Sequence, residues 1–148
     1  MATPKIYTIG FTKKSARQFF ETLNRASVKK LVDIRLNNTS QLAAFTKKED
    51  LEYFVHTICG ASYHHLPNLA PTQDLLDALK KHKGSWTDYE VRFQALMRER
   101  GAIEKLDRTF FEDACCLLCS EATPEHCHRR LVAEAIHHRW PDLQIEHL

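Results

Sequence analysis

Glycine is scarce, with four in 148 residues. Gly10 stands alone behind its strand, so the closely spaced glycines that bring a backbone up to a pyrophosphate are missing and no dinucleotide fingerprint is present. Long apolar runs are missing as well; none is long enough to cross a bilayer. The opening residues, Met1 to Ile6, lack the apolar core of a signal peptide. These absences lead us to expect a soluble, cytoplasmic protein with no membrane partner. An excess of one charge is also lacking: Lys+Arg 21 against Asp+Glu 19 leaves +2, too near balance to announce a nucleic-acid binder by bulk charge, although a local basic patch stays open. Five cysteines make an odd number in a chain large enough to fold without staples, so free thiols are expected rather than a disulfide framework.

What the chain does contain is an ordinary globular composition, 43% hydrophobic and 27% charged, at a length near the commonest single-domain size. One α/β domain over residues 1–148 is expected. Nine histidines supply many potential ligands and proton carriers.

Periodicity alternates between strands and helices. Lys5 to Ile9 is a β-rich run stopping at Gly10, and Ser15 with Gln18 forms a capping box ahead of a stripe of Phe19, Phe20 and Leu23. Lys30 to Arg35 is a second strand, followed by the polar loop Asn37-Asn38-Thr39-Ser40. The next helix is predicted to open at Thr46 with Glu49, to bury Leu51, Phe54, Val55 and Ile58, and to end at Gly60. Residues 62–66 make a weaker strand. A helix from Pro71 to Gly84 and a second face of Trp86, Tyr89, Phe93 and Met97 follow. Ala114 to Cys119 is the most apolar strand, and its lack of alternation predicts burial on both faces. Thr123 as N-cap and Pro124 at the first position predict a last helix running to about Arg139, before a closing strand at Gln144 to His147. The pattern predicts an α/β fold: a mostly parallel, open, Rossmann-like sheet of about five strands flanked by helices, with a helical insertion between the third and fourth strands that can cover a pocket.

In such sheets ligands bind beyond the carboxyl ends of the strands. That rule selects Thr8 and Gly10, Arg35 with Asn37 and Ser40, His64 and His65, Cys119 with Glu121, and His147. Cys127 is placed in the first turn of the last helix, where unpaired N–H groups and the helix dipole favour a thiolate. His128 shares the inward face, and Arg129 on its flank can reach an anion held at the helix start. Each has a plain structural alternative. The cysteines can be small core hydrophobes, Glu121 can simply suit the helix dipole, and Arg35 can merely neutralise Asp33. The Trp86, Tyr89 and Phe93 stripe reads as core rather than as a base-stacking platform.

Two sharper motifs fail on geometry. Cys116-x-x-Cys119 on an extended strand would point its thiols to opposite faces roughly 10 Å apart, too far for a disulfide or a tetrahedral metal. A phosphatase-like loop needs an arginine six positions after its cysteine, where Cys119 finds Glu125 and Cys127 finds Ala133. A set made from Cys119, Cys127 and His128, with His64, His65 or His147, has no recognised metal spacing; no cofactor or metal is predicted, though that set leaves a metal open.

Thr8-Ile9-Gly10, Asp33-Ile34-Arg35, Leu118-Cys119-Ser120-Glu121 and Cys127-His128-Arg129, in this order, resemble the family known as domain of unknown function 488. The likeness covers nearly the whole chain, and the stretches 36–42 and 69–72 resemble a bacterial subgroup of full-length, single-domain members. Many members carry a histidine and a serine directly after the glycine, where this chain has Phe11 and Thr12, so a role resting on that histidine does not transfer. The resemblance implies an α/β fold with a shared polar site and an association with nucleic-acid metabolism; it supplies no reaction.

The expected function is an enzyme acting on an anionic substrate such as a nucleotide or nucleic acid. Cys127, or in second place Cys119, is the reactive thiolate in this reading, with Glu121 and His128 as acid/base or orienting groups. Arg35, Arg129, Thr8, Gly10, Asn37 and Ser40 bind the substrate. The alternative is a non-catalytic binding module for the same ligand class in the same pocket.

Overall fold

A computed structural model describes residues 4–38, 44–80, 85–121 and 124–148. Five strands, β1 (Lys5–Gly10), β2 (Lys30–Asp33), β3 (Ser62–His65), β4 (Cys115–Cys119) and β5 (Gln144–His147), form one sheet in the order β3-β2-β4-β1-β5. All four pairings are parallel. β4 lies at the centre with all five residues buried, which accounts for its unbroken apolar sequence.

The helices are α1 (Ala16–Arg25), α2 (Lys48–Cys59), α3 (Gln73–Lys80), α4 (Trp86–Arg100), the short α5 (Arg108–Phe111) and α6 (His128–Arg139). Strand alternation divides the core into two layers. Ile9, Leu31, Cys116 and Leu118 pack with Phe19, Phe20 and Leu23 of α1 and Leu51 and Val55 of α2. Ile6, Val32, Cys115 and Leu117 pack with Phe93 and Met97 of α4 and Leu131, Val132 and Ile136 of α6. The chain leaves β1 towards β2 and leaves β4 in the opposite direction towards β5. Their following helices therefore cover opposite faces, and a crevice opens where β1 and β4 lie side by side. α3, α4 and α5 all fall between β3 and β4, forming the expected helical insertion.

Several boundaries differ from expectation. α1 begins behind the Ser15–Gln18 capping box as anticipated. Thr46, however, ends a 3-10 turn (Ala44–Thr46), and α2 starts at Lys48 with no side-chain cap bond at Lys47. Ile58, expected in the core, is 46% exposed, because it falls on the outer side of α2. α3 starts at Gln73, two residues beyond Pro71, with the Leu75 amide donating to Thr72 Oγ1. The largest correction is α6: Pro124 lies in a bend, and the helix begins at His128 with Cys127 as its N-cap. Thr123, Ser40 and Gly84 lie outside the described residues.

Candidate functional site

A cleft of about 730 Å³ opens at the carboxyl edge of the sheet. Its floor comes from the loops after β1, β2 and β4 and from the start of α6. Pro71, Leu76, Leu79, Trp86 and Tyr89 of the insertion supply one wall. A smaller hollow of about 410 Å³ lies between the turn at Leu66–Leu69 and Ala102–Leu106. It is lined by Arg100, whose Nη1 donates to the carbonyls of Asn68 and Ala70.

The chemical centre of the cleft is Cys119, Cys127 and His128. β4 ends at Cys119 and α6 starts after Cys127, so the chain returns to the same point of the sheet edge. All three residues are buried, and their ligating atoms lie within 4.8 Å of one another. Cys119 Sγ is 3.4 Å from His128 Nδ1. On the far side of the ring, His128 Nε2 lies 2.7 Å from the carbonyl oxygen of Ile34. A carbonyl only accepts, so Nε2 carries a hydrogen and Nδ1 faces the sulfur, as acceptor in the neutral ring or as donor in the imidazolium. The ring also rests against Phe93, 5.5 Å between centroids.

The two thiols are pushed in opposite directions. Burial acts to raise the pKa of Cys119, but the Cys127 thiol, the backbone N–H groups of Ser120 and Glu121 and the positive charge of Arg129 together outweigh it, leaving the thiol below its ordinary value. Cys127 is driven well above the ordinary range, by burial first and then by the neighbouring Cys119 sulfur. Donors and the nearby positive charge thus favour the charged form at Cys119, whereas burial disfavours it at Cys127, the cysteine expected to be reactive.

Arg129 was expected on the helix flank, within reach of an anion. It is instead fully buried, outside the residues lining the cleft, with Nη1 donating to the Glu121 carbonyl. Its Nε and Nη2 have no hydrogen-bond partner among the described residues. Gly10 makes this packing possible: a Cβ there would run into the Glu121 carbonyl and Arg129 Nη1. Gly10 therefore shapes the site without lining the cleft. Thr8, also expected to bind substrate, lies inside β1 with its hydroxyl 2.5 Å from His147 Nδ1, fully buried and away from the cleft.

Arg35 lines the cleft while serving the fold. Its Nε and Nη2 reach the two carboxylate oxygens of Asp33 at 2.9 and 2.8 Å, and Nη2 also donates to the Thr46 carbonyl. Tyr63 donates a further bond to Asp33, and burial together with that bond pushes its phenol pKa up. The Arg35 guanidinium lies 5.4 Å from the Phe11 ring. Asn37 and the exposed Glu121 line the same cleft. Of the other histidines, His64 pairs with Ser62, His65 bonds the Arg35 carbonyl, and His147 pairs with Thr8. None of these joins the sulfur cluster.

Lys13, Lys14 and His126 also line the cleft and were not among the candidates. Lys13 and Lys14 follow β1 and line the mouth; Thr12 anchors their loop by donating both its amide and its hydroxyl to the Ser120 carbonyl. Lys13 is held at φ 65°, a backbone region uncommon for lysine. The strand-end rule, carried past Gly10, finds both lysines. Trp86 and His126 stack at 5.1 Å and 22°, and Trp86 stacks on Tyr89 at 5.0 Å and 20°. Trp86 packs against the core, as expected, and its position at the start of α4 also brings it to the cleft. Tyr89 and Phe93 are core, as expected.

A five-stranded parallel sheet with a thiol, imidazole and carboxylate gathered at its switch point defines the class of the molecule: an α/β protein with a polar cleft at the crevice of the sheet. The family model for domain of unknown function DUF488 matches residues 15–136, and the chain belongs to that family. No curated protein and no solved structure matches the chain.

Proposed function

We propose that the cleft is the active site of an enzyme acting on an anionic substrate with an aromatic part, a nucleotide or nucleic-acid fragment, and that the reaction depends on the Cys119 thiolate. The observation that carries this reading is Cys119 Sγ, 3.4 Å from His128 Nδ1, at the wall of a cleft large enough for a nucleotide-sized ligand. Lys13 and Lys14 supply positive charge at the phosphate end, and Arg35, paired with Asp33, lines the cleft beside them as a further donor. The Trp86–His126 pair supplies a flat surface for a base. Glu121, exposed at the mouth, is the candidate acid/base group. The family resemblance to proteins associated with nucleic-acid metabolism points to the same ligand class. Free cysteines suit a reducing compartment, which supports a cytoplasmic location; no helix among the described residues is long and apolar enough to cross a membrane.

The test is a chromatographic screen of nucleoside mono- and diphosphates for turnover, with binding followed by calorimetry. For a turned-over compound, Cys119→Ser is expected to lower kcat by about a thousandfold or more while affinity stays within about threefold. Full turnover by Cys119→Ser defeats the thiolate reading. Salt-sensitive binding with no turnover of any ligand assigns the cleft to a binding module.

A further inference from the structure

We infer that Cys119, Cys127 and His128 are the protein ligands of a zinc-type divalent metal ion whose remaining coordination position opens into the cleft. The inference rests on the reading of the cleft as a thiolate-dependent active site and states how the thiolate acts: as a ligand that holds an electrophile, with the reacting group in the open position.

Three features support it. The first is the fit of the donor set. A tetrahedral ion with bonds of about 2.3 Å to sulfur and about 2.0 Å to nitrogen requires roughly 3.6 Å between S and N ligands and roughly 3.8 Å between two S ligands. The Cys119 Sγ to His128 Nδ1 distance is 3.4 Å, and all three atoms fall within 4.8 Å, so closure needs side-chain adjustments of about an ångström at most.

The second is the fixed orientation of the imidazole. His128 gives its Nε2 hydrogen to the Ile34 carbonyl at 2.7 Å. This is the arrangement by which metal-binding histidines lock one tautomer and aim the other nitrogen's lone pair at the ion. Here that nitrogen faces the two sulfurs.

The third is charge. All three residues are buried, so a thiolate there without an ion is a charge held out of water. A dication with two thiolates and a neutral imidazole is uncharged as a group, which removes the cost of a lone buried anion. A metal takes its cysteines as thiolates, so binding releases protons to solvent and loading becomes stronger as pH rises. Three protein ligands plus one open position is the pattern of catalytic rather than structural zinc sites. Cys119, Cys127 and His128 all face the cleft that Glu121 also lines, placing a carboxylate at the mouth of the site to take a proton from water in the open position.

The experiment uses the full chain purified without a polyhistidine tag or chelator, analysed for metals and then loaded with Zn²⁺ or Co²⁺. We expect about one equivalent of bound metal and, with Co²⁺, a tetrahedral d–d spectrum with a thiolate-to-metal charge-transfer band. Cys119→Ser and Cys127→Ser should each weaken that band by about half and lower affinity more than tenfold, while Cys59→Ser changes neither. A readout needing no variant is alkylation of the native protein read by mass spectrometry: Zn²⁺ should shield Cys119 and Cys127. Protein that takes up neither metal, or whose charge-transfer band is undiminished in both serine variants, overturns the inference. If no metal binds yet Cys119→Ser abolishes turnover, the proposed function stands without the ion. If metal binds but turnover survives both Cys119→Ser and chelation, the metal site stands and the proposed function falls.

Discussion

At the scale of single residues, the cleft depends on groups that never touch its interior. Gly10 lets the Glu121 carbonyl and Arg129 meet the end of β1, and Arg129 brings a buried positive charge towards Cys119. Gly10→Ala is expected to destabilise the fold by about 1–3 kcal/mol through overpacking and to raise the Cys119 thiol pKa, read by alkylation rate against pH in metal-free protein. A variant that melts like the wild type with an unchanged profile would remove Gly10 from this role. Asp33 and Arg35 form a buried, two-pronged pair. Asp33→Asn leaves the Arg35 charge uncompensated and should cost about 3–5 kcal/mol in urea denaturation, far more than an exposed pair such as Arg17–Glu21. The histidines give a pH signature. Burial holds His64 and His147 below the ordinary imidazole value of 6.5. Below that pH the unfolded chain binds protons that the folded chain refuses, so their contribution is complete above about 6.5 and declines as pH falls towards the folded values. The urea midpoint should therefore drop more between pH 7.5 and 5.5 in the wild type than in a His64→Gln/His147→Gln variant.

At the scale of elements, α6 and the insertion carry the site. α6 begins at His128 behind Cys127, an N-cap that makes no side-chain cap bond, and serine is among the best N-cap residues. Cys127→Ser in metal-free protein should therefore keep its stability or gain up to about 1 kcal/mol, so loss of metal binding in this variant would not reflect unfolding; a large drop in melting temperature would contradict this view of the cap. Trp86 opens α4 and stacks on His126. Trp86→Ala should weaken a nucleotide by about 1–3 kcal/mol while leaving inorganic pyrophosphate binding nearly unchanged, and equal losses for both would remove the stacking role. Elements with strong local signals were legible in the sequence: the capping box before α1, the apolar run of β4, the terminal strand. α6 was placed too early because Thr123 and Pro124 carry good start signals, whereas the turn at Pro124–His126 defers the helix until the chain has met the end of β4. The same shift turned Cys127 from a helix-turn residue activated by the dipole into an N-cap facing Cys119.

At the scale of the whole molecule, the cleft follows from the switch between β1 and β4. The chain departs from these neighbours to opposite faces, which opens one crevice and gathers residues from positions 11 to 14, 35 to 37, 119 to 121 and 126 to 128. The insertion between β3 and β4 then walls it. A metal held there links α6 to β4, so the loaded protein should melt at a higher temperature than the chelated one. The gain follows the logarithm of free metal over its Kd, about 4 kcal/mol at a thousandfold excess; Cys119→Ser should show almost none of it.

The amino-acid sequence by itself determined the class of the fold, because strand and helix periods, caps and the doubly buried β4 are local patterns set by side-chain spacing. Through the strand-end rule it also determined that Cys119, Glu121, Cys127 and His128 belong near one edge. Only the tertiary structure decided that Cys119, Cys127 and His128 meet, that Arg129 is buried beneath the loop, that Thr8 faces His147, and that lysines and a tryptophan complete the cleft. Those outcomes depend on burial and on the convergence of distant segments, and neither a thiol's desolvation nor the donors around it can be read from its neighbours in the chain.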